Sequence, residues 1–322
     1  MANNDRTDKR KTRAARRAAE EAEARARAEQ AAKERRQQTI IGAIVVVVVV
    51  ALVAVAGFAL WRSHATNAAT ANMTVDEAYS KVEAVKTKPS TADAKGGVLV
   101  SKDGVGEKIA DAPTVAVYMD FMCSGCGNFE RTAGETLTKL VEAGQINLEL
   151  HPMSFGDQWS SDKYSTRAAN MLLSITEQDK DASHILGFIQ NMYAEDFQPA
   201  ENSGKKTSDD QMKEQAVKAG VSQKVADASV TDKYTDWLDA INVYLPKRTD
   251  LQNVSGQLKG QMTTPTVTIN GNFWDMNQLT TADLTIDAGL VTALGLEDSQ
   301  VGQEGQLPSI GADGKPVSLT GV

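Results

Sequence analysis

Only two cysteines and three histidines occur in the 322 residues. The histidines, His64, His151 and His184, are scattered without ligand spacing, and no second cysteine pair exists to complete a tetrahedral zinc site. Zinc therefore stays only as the weaker alternative that any isolated half-site allows. There is no phosphate-binding glycine loop, no Gly-x-Ser-x-Gly elbow, no metal-binding helix and no internal repeat. Those absences argue against P-loop phosphate chemistry, serine acyl transfer and solenoid architecture, and the reading needs no cofactor and no metal.

Charge is unevenly placed. Residues 1–38 hold 12 Lys and Arg against 7 Asp and Glu, whereas the chain beyond residue 61 carries 22 against 35. Between them Ile40–Leu60 contains no charge, no proline and no polar side chain. As a helix those residues would extend about 31 Å, enough to cross a hydrocarbon core. We read 39–61 as one transmembrane helix. A cleavable signal peptide competes, with small residues at Ala65–Ala71 as its cleavage region, but its apolar stretch is usually shorter and its leader is not this long. Basic residues gather on the cytoplasmic flank, so Arg35 and Arg36 place segment 1–38 inside and the acidic body outside the cytoplasm. Binding of lipid headgroups or nucleic acid is a second use for the twelve basic groups. A topology signal is the plainer one, and no nucleic-acid partner is expected. Trp61 beside Arg62 suits the interface.

The two cysteines, Cys123 and Cys126, form Cys-Ser-Gly-Cys on the side where disulfides persist. A bridge across two residues closes too short a loop to add much stability. The flanks suggest chemistry instead. Thr114–Met119 is β-branched and aromatic, as a buried strand is, and Asn128–Ala143 places Phe129, Leu137, Leu140 and Val141 on one helical face. The pair thus sits where a strand gives way to a helix. Unpaired N–H groups and the positive helix end favour a thiolate there, so Cys123 is expected to be the acidic, exposed nucleophile. Cys126, one turn on, is expected to resolve its mixed disulfide. Gly125 and Ser124 keep the approach small.

Far downstream, Pro265 opens a short strand, Thr266–Ile269, followed by the Asn270–Gly271 turn. Taken with Asp-Phe-Met-Cys-Ser-Gly-Cys-Gly-Asn-Phe-Glu at 120–130, the Thr-Pro-Thr-Val-Thr-Ile-Asn-Gly at 264–271 resembles the DsbA-like branch of the thioredoxin superfamily. The resemblance covers Thr114 to about Leu296. It implies an α/β, thioredoxin-like fold with a helical insertion, preceded here by the single N-terminal membrane helix. It also implies Cys123 and Cys126 as the redox pair, and Thr264 and Pro265 as a cis-proline loop packed beside them, with backbone free to pair with a substrate.

On that frame the organisation is a basic segment 1–38, the span 39–61, a spacer 62–95 with a short helix near Val75–Val85, the domain 96–296, and a loosely ordered tail 297–322, where a hairpin at Gln306–Leu319 is an alternative. Gln145–Leu150 reads as the next strand. The insertion, about 163–250, has helical stretches at Arg167–Ile175, Ala182–Tyr193, Asp209–Ala219 and Lys233–Leu245, and Thr281–Leu294 closes the domain.

The chain departs from its relatives in two places. Where many carry a buried acid six residues before the first cysteine, this one has Val117. Asp120 is read as a capping or solvent-facing carboxylate, so the proton acceptor is unassigned, and His151 is only a candidate to reach the site from its strand end. The intervening Ser-Gly supplies neither proline nor a histidine charge. The direction of electron flow therefore stays open. One reading is an oxidase for thiols of secreted or envelope proteins, reoxidised by a membrane redox partner. Another is a reductase or isomerase on the same fold, and a third is a binding module with a structural disulfide.

Overall fold

The computed structural model describes residue 70 and residues 72–320. The basic segment and the proposed membrane span lie outside the described residues. Within the described ones no helix is long and apolar enough to cross a membrane.

The core is one six-stranded sheet in the order β2-β1-β4-β3-β5-β6. Strand β3, Thr114–Asp120, lies near its centre, parallel to β4, Asn147–Met153, and antiparallel to β5, Thr266–Ile269. Its side chains after Thr114 are buried on both faces, which is why it reads as a near-continuous apolar run rather than an alternating one. Two strands the sequence reading lacks, β1 (Val98–Ser101) and β2 (Gly104–Val105), form a tight hairpin on the other edge of β4. β6, Asn272–Phe273, follows the Asn270–Gly271 turn, where both residues adopt the left-handed conformation that such a turn requires.

Helix α1, Val75–Ala84, opens with a Thr74–Glu77 capping box and buries Ala78 and Val82, with Tyr79 against Tyr244. Part of the segment read as spacer is therefore packed on the domain. Helix α2, Ser124–Glu142, connects β3 to β4 and turns Phe129, Ala133, Leu137, Leu140 and Val141 to the core. The insertion comprises α3 (Tyr164–Gln178), α4 (Ala182–Met192), α5 (Asp209–Lys218), α6 (Gln223–Ala228) and α7 (Thr235–Tyr244). The closing helix is two pieces, α8 (Gln278–Ala282) and α9 (Ile286–Leu294), because Asp283 turns left-handed between them.

The C-terminal stretch contains no strand among the described residues, so the hairpin alternative does not hold. It is tied down rather than loose. The Gln145 side-chain amide donates to the carbonyls of Gln300 and Gln306, and its oxygen accepts from Gly302 N. Asn270 Nδ2 donates to Gly311 O and Gly314 O. These amides answer backbone groups that an irregular segment leaves unpaired.

Candidate active site

Strand β3 ends at Asp120, and three residues later the chain enters α2 with Cys123 as its N-cap. The Cys123 Sγ stands in the place of a capping hydroxyl, accepting from the Cys126 backbone N–H at 3.4 Å. No acidic residue occupies the first turn of the helix itself. Across 141 positions of sequence, the Cys123 thiol donates to Thr264 O at 3.3 Å. The Thr264–Pro265 peptide is cis, and Pro265 Cδ lies 3.2 Å from where a Cβ on Gly125 would stand. A side chain at position 125 would press on the proline. All four residues singled out in the sequence, Cys123, Cys126, Thr264 and Pro265, thus meet at the end of β3, with both cysteines as free thiols.

The expectation of an exposed Cys123 does not hold, since only 1% of it is accessible. Part of the cover is the segment between α4 and α5, which lies along the start of α2. Gln198 Nε2 donates to Phe121 O and Cys123 O at 3.0 Å each, and its oxygen accepts from Arg131. Glu201 accepts from Ser124 N at 2.9 Å. Gly127 makes room for Gln198, whose amide oxygen would collide with any Cβ there. Polar residues in an insertion loop carry no motif, so Gln198 and Glu201 were not legible in advance.

Asp120 is not solvent-facing but fully buried. Its carboxylate accepts from Met122 N (2.9 Å), Gly156 N (2.6 Å) and Ser165 Oγ (2.5 Å), so the capping half of the expectation describes its contacts. Burial pushes it up to about 6 against the pull of those donors. Its backbone N–H donates to Cys126 Sγ at 3.4 Å. Burial, then the hydrogen bond and charge of Cys123, push the Cys126 thiol well above its ordinary range, and the Asp120 carboxylate adds to this. Asp120 thus acts on the inner sulfur in two opposed ways, its N–H stabilising a thiolate there and its carboxylate charge opposing one, while burial sets the direction.

A second carboxyl lies beneath the site. Glu130, four residues after Cys126 on α2, borders a cavity of about 10 Å³, close to the room one water needs, lined by Val117, Met119, Leu148, Leu150 and Leu186 among others. Burial pushes it up to about 7. A Cβ on Gly134 would overlap the carboxyl, so that glycine is what admits it. An acid within the apolar stripe of a helix was the available signal. His151 plays no part here: it stacks on Tyr118 with ring centroids 4.0 Å apart and meets Glu149 through Nε2 at 2.6 Å.

A family profile described as Thioredoxin matches residues 105–288, more than half the chain. The chain belongs to the thioredoxin family. Other similarities accompany this thioredoxin-family match. The serine/threonine-protein kinase PknE of Mycobacterium tuberculosis is 30% identical over 112 residues, 34% of this chain, and the chain spans only about a fifth, 20%, of that kinase's length. Among solved structures, reduced DsbA from Mycobacterium tuberculosis is 26% identical, covering 56% of this chain and 85% of that one, with a TM-score of 0.46. MdbA, a thiol-disulfide oxidoreductase from Corynebacterium matruchotii, is 20% identical, covering 66% and 100%, with a TM-score of 0.45.

Proposed function

We propose that this thioredoxin-family chain is a protein thiol–disulfide oxidoreductase, membrane-tethered by segment 39–61, whose domain works outside the cytoplasm and oxidises thiols of secreted or envelope proteins. The observation that carries the reading is Cys123 Sγ at the N-cap of α2, bonded by the Cys126 N–H and facing the Thr264 carbonyl beside Pro265. A helix start and a thiol one turn away are what reversible disulfide exchange needs.

In the oxidising direction a substrate thiolate attacks Cys123 Sγ of the Cys123–Cys126 disulfide. The S–S bond breaks, Cys126 leaves as a thiolate, and a mixed disulfide forms. The high proton affinity of the buried Cys126 means that it leaves reluctantly and takes up a proton readily. A second substrate thiolate then attacks its own partner sulfur and expels Cys123. Two electrons and two protons pass to the dithiol, and a membrane redox partner takes them away. In this reading the Thr264 carbonyl, which accepts from Cys123 in the reduced protein, is the group that pairs with an extended substrate backbone.

Replacing Cys123 by alanine tests the assignment, with loss of dithiol-peptide oxidation expected. Retained oxidation would overturn it. A potential near −150 mV or above, of the order found for strong oxidants, supports the oxidising direction, and about −250 mV or below supports reduction or isomerisation.

A further inference from the structure

We infer that Glu201 is a positioning residue that sets the redox poise of the Cys123–Cys126 pair, by seating a carboxylate on the Ser124 N–H at the start of α2; this rests on the oxidoreductase reading. The first turn of α2 has one capping sulfur and no acid of its own. Its positive end would favour the reduced state by stabilising negative charge on Cys123. The segment between α4 and α5 brings the missing carboxylate from 77 residues away and places it, at 2.9 Å, on the N–H of the residue next to the nucleophile. The helix end is thus partly neutralised by a charge of the same sign as the thiolate.

The placement is held rather than incidental. Gln198, three residues before Glu201, clasps the carbonyls of Phe121 and Cys123, and Arg131 of α2 holds Gln198 Oε1 and Tyr193 O. Asn202, the next residue, donates its N–H to Trp159 O at 2.9 Å. Glu201 is therefore pinned on both sides in sequence, and it takes part in no ion pair among the described residues that would quench its charge.

A fixed negative charge beside Cys123 penalises the reduced pair, once Cys123 is a thiolate, and leaves the disulfide untouched. Glu201 therefore makes the pair a weaker oxidant than its helix alone would. Glu201→Gln keeps an oxygen that can accept from Ser124 N and removes only the charge. Glu201 is half-buried and Ser124 is exposed, so solvent screens the charge in part, and the equilibrium constant against a dithiol reference should change by about three- to tenfold toward reduction. By the conversion of about 30 mV per tenfold, the potential rises by about 15–30 mV.

The experiment is a redox-buffer titration of the full chain and its Glu201→Gln, Glu201→Asp and Glu201→Ala variants, with alkylation as the readout. Rates of Cys123 labelling by iodoacetamide and by negatively charged iodoacetate are measured alongside. The Gln variant is expected to raise the potential and the iodoacetate-to-iodoacetamide ratio together, with the Asp variant staying closer to wild type in both. A Gln variant with wild-type potential and ratio overturns the inference, as does a change confined to the Ala variant, which would mean that loosening of the segment is responsible. Failure of the oxidoreductase reading is distinguishable, because the wild-type pair itself would then show no reversible titration.

Discussion

Glu130 offers a sharp test of the energetics beneath the site. Glu130→Gln removes an ionisable group from an apolar cavity while nearly preserving its volume. The native carboxyl is raised from 4.5 to about 7 by burial alone. The sign follows from which state holds the proton. Below about pH 4.5 both folded and unfolded chains are protonated at this position and it costs nothing. Between about pH 4.5 and 7 the unfolded chain releases the proton and the folded chain keeps it, so wild-type stability falls as pH rises. Above about pH 7 the penalty is constant. At about 1.4 kcal/mol per pKa unit it saturates near 3 kcal/mol, and because Glu130 is half-buried rather than sealed, solvent screening reduces that to about 1–3 kcal/mol. Urea unfolding of the protein and the variant at pH 5, 6, 7 and 8 reads this directly. The variant should match or slightly trail wild type at pH 5, where its amide lacks a partner, and gain on it steadily up to pH 8. Parallel pH profiles would refute the argument, since Asp120, the other raised carboxyl of the site, is unchanged in both proteins.

Two further outcomes follow from the same geometry. Gly127→Ala should raise helix propensity by up to about 1 kcal/mol and yet displace Gln198, so Cys123 should react several-fold faster with iodoacetamide while the unfolding midpoint holds or rises; unchanged reactivity would show that Gln198 does not guard the thiol. Asn270→Ala loses the acceptor for Thr114 N and two bonds to Gly311 and Gly314, at a left-handed position. A loss of about 2–4 kcal/mol is expected, with protease cleavage appearing near residues 311–314, and a variant as resistant as wild type would contradict it.

The sequence disclosed the site at the level of covalent motifs. Cys123 and Cys126 next to a β-branched run, and Thr264–Pro265 ahead of another, are local patterns, and their meeting needs only that β3 and β5 pair. The strand and helix of 114–143 were legible for the same reason, as runs of one period. What escaped was whatever depends on the third dimension. Asp120 looks like a surface carboxylate until Gly156 N and Ser165 Oγ, 36 and 45 residues away, arrive to receive it. Cys123 looks open because nothing in 202–208, or in the polar residues just before it, indicates that Gln198 and Glu201 fold back over α2. β1 and β2 are too short to show alternation, although Lys102-Asp103-Gly104 marks their turn. The tail has few apolar residues because amides of Gln145 and Asn270 attach it together with a handful of partly buried side chains, Val301, Ile310 and Leu319, too widely spaced to show a period.

The placement of β5 has a consequence for the order in which the molecule comes into being. During synthesis, α2 and both thiols emerge well over a hundred residues before the carbonyl that Cys123 faces. Until then the β3 edge that β5 will occupy stands unpaired, and the nucleophile lacks the Thr264 side of its enclosure. A newly made copy thus passes through a stage in which its own pair is more available to bystander thiols than it will be again. The loop carrying Glu201 lies between the two halves in the chain, so its contact with the start of α2 can form before Thr264 has been made.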